Sequence, residues 1–283
     1  MIHISAPAKV NLVLEVLGKR EDGYHEIRSL VQTIDLCDDL YFEADGEIYF
    51  ECNVNALQTP DNLVLKAVEL LKNTYNYERG VKIRLEKVIP QSAGLGGGSS
   101  DAAMTLLALN KLWRLRLKRE DLLQLAARLG SDVPFFLTWG MSMVKGRGEI
   151  VVPLPSTPIP WFVILIPPLQ EMPEKTKSAY SRLKKKNFTE GQYMSEVMQS
   201  WSIDYRISPE KLFNVFDGIA FEAFPELEKY WRKFEEAGVG NIHLAGSGPS
   251  LFAPFDDQMH AEDAGRRLAE AGLNPLVVSA LTT

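Results

Sequence analysis

Pro90-Gln91-Ser92-Ala93-Gly94-Leu95-Gly96-Gly97-Gly98-Ser99-Ser100-Asp101-Ala102-Ala103 decides how this chain is read, because it sets four glycines and three serines between two periodic segments. Upstream, Val81, Ile83 and Leu85 alternate with Lys82, Arg84 and Glu86, the period of a half-buried strand ending before Pro90. Downstream, the apolar spacing predicts a helix from Ser100 to about Trp113. Glycine lets a backbone approach a ligand and turn successive N–H groups into one concavity. A helix start adds unpaired N–H groups and the positive end of its dipole, which together favour phosphate. A flexible loop capped by Ser100 is the plain alternative for a glycine-rich turn taken alone. The Walker spacing Gly-x-x-x-x-Gly-Lys-Ser/Thr is absent, and Ser99 stands where a Gly-x-Gly-x-x-Gly run from Gly94 needs its last glycine, so dinucleotide binding is disfavoured. Neither His-Arg-Asp nor Asp-Phe-Gly occurs, which excludes the protein-kinase signature.

Outward from the loop, Val10 to Val16 alternate as a strand that puts Lys9 and Asn11 on one face, Gly18 to Gly23 make a polar turn, and Ile27 to Leu36 read as the returning strand. Two more strands, Asp39 to Glu43 and Glu47 to Cys52, are expected around a turn at Asp45-Gly46. Thr59-Pro60-Asp61 predicts a helix over about 60–74, and a further helix runs from about Lys118 to Leu129, closed by Gly130. Met141 to Val144 and Glu149 to Leu154 read as strands. Pro153, Pro155, Pro158 and Pro160 then mark a linker, which divides the chain into 1–154 and 155–283. The second part opens on a strand at Trp161 to Ile166 and carries a helix over Pro225 to Ala237. It closes as Ile242 to Ala245, Leu251 to Phe255, a helix over about 257–271 and Leu276 to Ala280, an ending that suits a split βαβ sandwich.

The bulk numbers narrow the class. At 283 residues, with 46% hydrophobic and 24% charged, the chain is an ordinary globular protein long enough for two lobes. A net charge of −6 disfavours a nucleic-acid partner yet permits a small anionic ligand held by a few amides and lysines. Two cysteines without a CxxC pair, no leader pattern and no long apolar run point to a cytoplasmic protein with no membrane partner. Asn187-Phe188-Thr189 matches a glycosylation acceptor by chance alone. The pattern leaves oligomeric state unread.

Three motifs in order now carry a resemblance. Pro90 to Ala103 resembles the phosphate loop of the GHMP small-molecule kinases, and it is preceded by Pro7-Ala8-Lys9-Val10-Asn11-Leu12 and followed by Leu244-Ala245-Gly246-Ser247-Gly248-Pro249-Ser250-Leu251-Phe252. Gly23-Tyr24-His25-Glu26-Ile27 and Leu129-Gly130-Ser131-Asp132-Val133-Pro134-Phe135-Phe136 are similar to the branch of that family whose alcohol is a cytidine-diphosphate-linked methylerythritol. The resemblance implies an α+β, two-lobed fold, with an N-terminal lobe like ribosomal protein S5, a C-terminal ferredoxin-like lobe, and the active site in the cleft between them. It implies transfer of the γ-phosphoryl of ATP to the tertiary 2-hydroxyl, a step of the non-mevalonate (methylerythritol phosphate) route to isopentenyl diphosphate.

By the same resemblance Asp132 takes the hydroxyl proton and Lys9 orients it and stabilises the transferring group. Taken singly, Asp132 reads more readily as an N-cap of a short helix at Val133 to Leu137, and Lys9 as a solvated strand lysine; their joint placement in the family pattern favours the catalytic roles. Pro90, Gln91, Ser92, Ala93, Gly94, Leu95, Gly96, Gly97, Gly98, Ser99 and Ser100 would line the ATP phosphates. Tyr24 would stack on cytosine and His25 would hydrogen-bond its polar edge. Asn11 would meet the methylerythritol hydroxyls, with Thr176, Tyr180, Gly246, Ser247 and Gly248 also lining the substrate. Thr176 and Tyr180 rest on a loose match, since Glu171-Met172-Pro173-Glu174-Lys175 is longer than the family pattern. Gly146-Arg147-Gly148-Glu149 receives no catalytic role. Mg²⁺ is implied on ATP, with Ser99 or Ser100 as a contact, no residue assigned as a dedicated metal ligand and no tightly bound cofactor.

Overall fold

A computed structural model describes residues 1–155, 159–169 and 175–282. Contacts divide the chain into two compact units that interleave in sequence: Met1–Ala8, Leu36–Gln91 and Gly96–Thr138 in one, Lys9–Asp35, Ser92–Leu95 and Trp139–Thr283 in the other. Two long strands, β1 (Ile2–Lys19) and β2 (His25–Asp45), contribute to both. The sequence division after residue 154 remains a proposal about modules, because the compact units are cut along other lines.

In the first unit β2 runs antiparallel to β4 (Gly80–Glu86), from Asp39 opposite Glu86 to Asp45 opposite Gly80. Strand β3 (Ile48–Cys52) pairs parallel with β4, so it is no hairpin partner of β2 as the Asp45-Gly46 turn suggested. Nor does β2 break between Leu36 and Asp39; it is one strand, because Asp38 turns inward to accept the N–H groups of Val88 and Ile89. Helix α1 (Leu63–Tyr75) starts later than Pro60. Asn62 caps it, its side chain accepting the N–H of Val64 at 2.9 Å, so the capping chemistry lies one turn beyond Thr59. Helix α2 (Gly97–Leu112) is sheathed on nearly all sides, with Ala102, Ala103, Met104, Leu106 and Leu109 buried. Helices α3 (Arg119–Leu129) and α4 (Val133–Phe136) pack beside it.

In the second unit β5 (Met141–Gly146) runs antiparallel to the start of β2 and β6 (Ile150–Leu154) follows as its hairpin partner. After β7 (Trp161–Leu165) come α5 (Lys175–Arg182), α6 (Gln192–Asp204), the short β8 (Phe213–Asn214) parallel to β1, α7 (Ala220–Ala223) and α8 (Leu227–Glu236). The chain ends as β9 (His243–Leu244), β10 (Leu251–Phe255), α9 (Gln258–Glu270) and β11 (Pro275–Ser279). These strands form a sheet in the order β11-β7-β10-β9, all neighbours antiparallel. Phe162, Val163, Ile164, Phe252 and Ala253 are buried in it and α9 covers it with Ala261, Ala264 and Leu268, which is the split sandwich expected from the sequence. Of the linker prolines, Pro158 lies outside the described residues, as do Glu171, Met172, Pro173 and Glu174. Among the described residues no helix is long and apolar enough to cross a membrane.

Candidate active site

Within the second unit the first and third sequence motifs converge on Lys9. Its ammonium is almost fully buried and donates to Asn11 Oδ1 at 2.7 Å, so it is not the solvated strand lysine of the plain reading. Asn11 in turn donates from Nδ2 to Ser29 Oγ at 2.8 Å, and Ser29 donates to the carbonyl of Val13 at 2.7 Å. Both ends of the Asn11 amide are thereby engaged, which fixes the lysine before any ligand arrives. Gly246, at φ +57°, touches the same place. A Cβ there would stand 3.0 Å from Lys9 Nζ, 3.1 Å from the Gly94 carbonyl and 3.6 Å from Asn11 Oδ1. Only glycine permits that approach in this backbone region.

The two glycine segments touch through the backbone. Lys9 N–H donates to the Leu95 carbonyl at 2.9 Å and Ser250 N–H to the Ala93 carbonyl at 3.2 Å. A Cβ on Gly94, whose φ is +87°, would lie 2.0 Å from the Ala245 carbonyl oxygen. Asn214 supports the third motif from below, donating to the carbonyls of Leu244 and Gly246 at 2.7 and 2.8 Å, while Asp217 accepts the N–H of Leu244 and the ring of His243. Burial pushes the Asp217 carboxyl upward, against the pull of His243. No single motif marks Asn214 or Ser29 in the sequence, because each serves through a partner distant along the chain.

A ring cluster lies beside the polar turn of the same unit. Tyr24 is half exposed, with the Arg147 guanidinium 4.9 Å from its ring centroid, although Arg147 was given no role from sequence. His25 faces Tyr180 at 5.1 Å and Phe188 at 6.0 Å between ring centroids. Burial, helped by Lys19, lowers the His25 pKa, which favours the neutral ring that both donates and accepts. Phe188 lies in the chance glycosylation triplet, and nothing in its local sequence announces that its ring meets a distant histidine edge-on. Thr176 Oγ1 comes within 3.4 Å of Ser247 Oγ, so these two expected substrate residues are neighbours.

In the first unit Gly96, at φ +76°, precedes α2, and the helix begins at Gly97, one turn earlier than Ser100. Gly98 is exposed at the helix mouth, where a Cβ would only touch Leu63 at 3.8 Å. Ser100 Oγ is buried there without a hydrogen-bond partner. Beneath the mouth, Lys87 donates to Asp101 at 2.9 Å and to Asp38, all three side chains being nearly inaccessible. Gly97 fits only because it lacks a side chain, for a Cβ would sit 2.9 Å from Ile89 and 3.0 Å from Lys87 Nζ. Asp132 precedes α4, is exposed, and makes no capping hydrogen bond from its side chain, so the capping alternative fails. Among the described residues no group of three or more His, Cys, Asp or Glu side chains could hold a metal ion.

Known proteins resemble this chain along nearly its whole length. The family model described as GHMP kinases N terminal domain matches residues 62–140, and that described as GHMP kinases C terminal matches 202–274. A 4-diphosphocytidyl-2-C-methyl-D-erythritol kinase of Dehalococcoides mccartyi is 42% identical over 281 residues, covering 99% of each chain. One from Thermoanaerobacter pseudethanolicus is 38% identical over 259 residues, covering 90% of this chain and 88% of its own. A crystal structure of 4-(cytidine 5'-diphospho)-2C-methyl-D-erythritol kinase superposes over 100% of both chains with a TM-score of 0.83 and 33% identity. A homoserine kinase structure from Cytophaga hutchinsonii, at 20% identity and a TM-score of 0.75 over 99% of this chain and 94% of its own, shares the fold. With two sheets, flanking helices and both family domains in place, the chain belongs to the GHMP kinases.

Proposed function

We propose that this protein is an ATP-dependent kinase that phosphorylates the 2-hydroxyl of 4-diphosphocytidyl-2-C-methyl-D-erythritol, in the methylerythritol phosphate route to isopentenyl diphosphate. The observation that carries it is the close approach of Asn11 and Gly246 to the Lys9 ammonium, with Gly94 set against Gly246, in a chain whose relatives bear that kinase's name.

Phosphoryl transfer asks a protein mainly for position and charge. The glycine loop, Pro90 to Ser100, offers amides and the mouth of α2 to the ATP phosphates. Lys9, held by Asn11, brings a fixed cation to the equatorial oxygens of the transferring group. Asp132, exposed and uncommitted to a cap, accepts the proton of the attacking hydroxyl. When bound with the nucleotide, Mg²⁺ would neutralise phosphate charge. Ser100 Oγ, buried and unpartnered, suits a place beside it, and Ser99 is the neighbouring hydroxyl. Tyr24 stacks on the cytosine while neutral His25, backed by Tyr180 and Phe188, reads its polar edge. Thr176, Ser247 and Gly248 complete the substrate side. We place the enzyme in the cytoplasm, with small molecules as its partners.

A coupled assay of ADP release tests the reading. Release is expected with the cytidine-diphosphate-linked alcohol and not with mevalonate, homoserine or galactose. Turnover of one of those three, with the cytidine compound inert, would replace it by another small-alcohol kinase. Tight ATP binding without turnover of any alcohol would make the chain a nucleotide-binding member only.

A further inference from the structure

Lys175, the first residue of α5, is buried, yet its ammonium reaches two loops. It donates to the carbonyl of Ser92 at 2.8 Å and to the carbonyl of Gly248. Ser92 belongs to the phosphate loop and Gly248 to the third motif, more than 150 residues away along the chain. Both acceptor residues occupy the left-handed region, Ser92 at φ +53° and Gly248 at +81°. For serine that conformation is unfavourable, and it persists only where surroundings enforce it. A hydrogen bond from a charged donor biases an equilibrium by about ten- to a hundredfold, enough to enforce it.

The bond also has a direction. In a trans peptide the C=O and N–H point to opposite sides, so a Ser92 carbonyl fixed on Lys175 turns the Ala93 N–H away from the lysine. The adjoining residues are already in backbone contact, through Ser250 N–H on the Ala93 carbonyl and Gly94 against Ala245. Lys175 is the side-chain tie across that contact.

We infer that Lys175 is a positioning residue that fastens the phosphate loop to the third-motif turn, so that both substrates meet one prearranged surface. The structural half stands on the hydrogen bonds alone; the kinetic half rests on the kinase reading above. The test compares wild type, Lys175→Met and Lys175→Arg. Hydrogen exchange in the ligand-free protein is followed by mass spectrometry over residues 92–95 and 245–250, and KM for ATP, KM for the alcohol and kcat are measured alongside. Lys175→Met is expected to speed exchange by about tenfold in both segments together and to raise both KM values by a similar factor, with kcat changed much less. Lys175→Arg should recover most of each change. Unchanged exchange in either segment, or faster exchange with both KM values at wild type, overturns the inference. If Lys175→Met does not fold, Lys175→Gln, which keeps a neutral donor, is judged by the same paired criterion. A wild-type protein that releases no ADP refutes the kinase reading, while the exchange data still decide the tie.

Discussion

Replacing Lys87 by Met removes the cation that sits between two buried carboxylates, and the consequence can be worked from the structure. The Lys87 side chain is 5% exposed, that of Asp38 0% and that of Asp101 4%. Methionine keeps most of the apolar stem, so the loss is chiefly electrostatic. Removing one partner of a buried ion pair costs about 3–5 kcal/mol, and two carboxylates left facing each other place this variant near the upper end. That is a large share of a typical total of about 5–15 kcal/mol. The effect depends on pH. Burial pushes the Asp101 carboxyl up to about 7, with Lys87 pulling the other way and Asp38 adding to the rise. Because this pKa lies above the ordinary 3.8, the folded protein holds the proton more tightly than the unfolded chain; the stability so gained is complete below that value and is lost as pH rises through about 7. Without Lys87 the ionised carboxylate loses its counter-charge, so the variant suffers more at about pH 8 than at about pH 5. Urea unfolding of wild type, Lys87→Met and the double variant with Asp101→Asn, at both pH values, reads this directly. The expected result is about 3–5 kcal/mol lost at the higher pH, half or less of that at the lower, and substantial recovery in the double variant. A loss below about 1 kcal/mol, or the same loss at both pH values, refutes the reasoning.

Three further outcomes follow from the site. Asp132→Asn should lower kcat by about a hundredfold or more while ATP binding, measured by calorimetry, stays near wild type; near-normal turnover would remove Asp132 from the role of base. Tyr24→Ala should raise KM for the cytidine substrate roughly tenfold with little change in kcat, the scale of one base stacked on an aromatic ring, and an unchanged KM discards the stacking. Gly94→Ala places a Cβ 2.0 Å from the Ala245 carbonyl at a left-handed φ. It should cut kcat/KM for ATP by at least about tenfold, since the backbone term alone is about 1–2 kcal/mol, and full activity would mean the two loops can part freely.

Much of the fold was legible because its signals are local. Alternation gave β1 and β4, helical spacing gave α8, the closing strand–helix–strand order gave β10 and α9, and the glycine run located the turn before α2. Errors arose where a distant partner overrides a local cue. Leu36 to Asp39 looked like a break, yet Asp38 buried beneath Val88 and Ile89 holds β2 continuous. Thr59-Pro60 looked like a helix start, but Asn62 makes the cap. Strand β3 was read beside β2, whereas its parallel partner β4 lies across α1, a long-range choice no turn residue encodes. For the site, residue types in ordered motifs were enough to name Lys9, Asn11 and Gly246. Ser29 and Asn214, which hold Asn11 and Gly246, and Lys175, which holds Ser92 and Gly248, carry no motif because their work is defined only by what folding brings near.

The central claim is that amides between Gly94 and Ser100, with the mouth of α2, bind the phosphates of ATP. A crystal structure with a non-hydrolysable ATP analogue measures this directly. The expected density places the triphosphate within hydrogen-bond distance of those backbone N–H groups. Phosphates bound elsewhere on the protein, with that stretch of backbone untouched, would contradict the account.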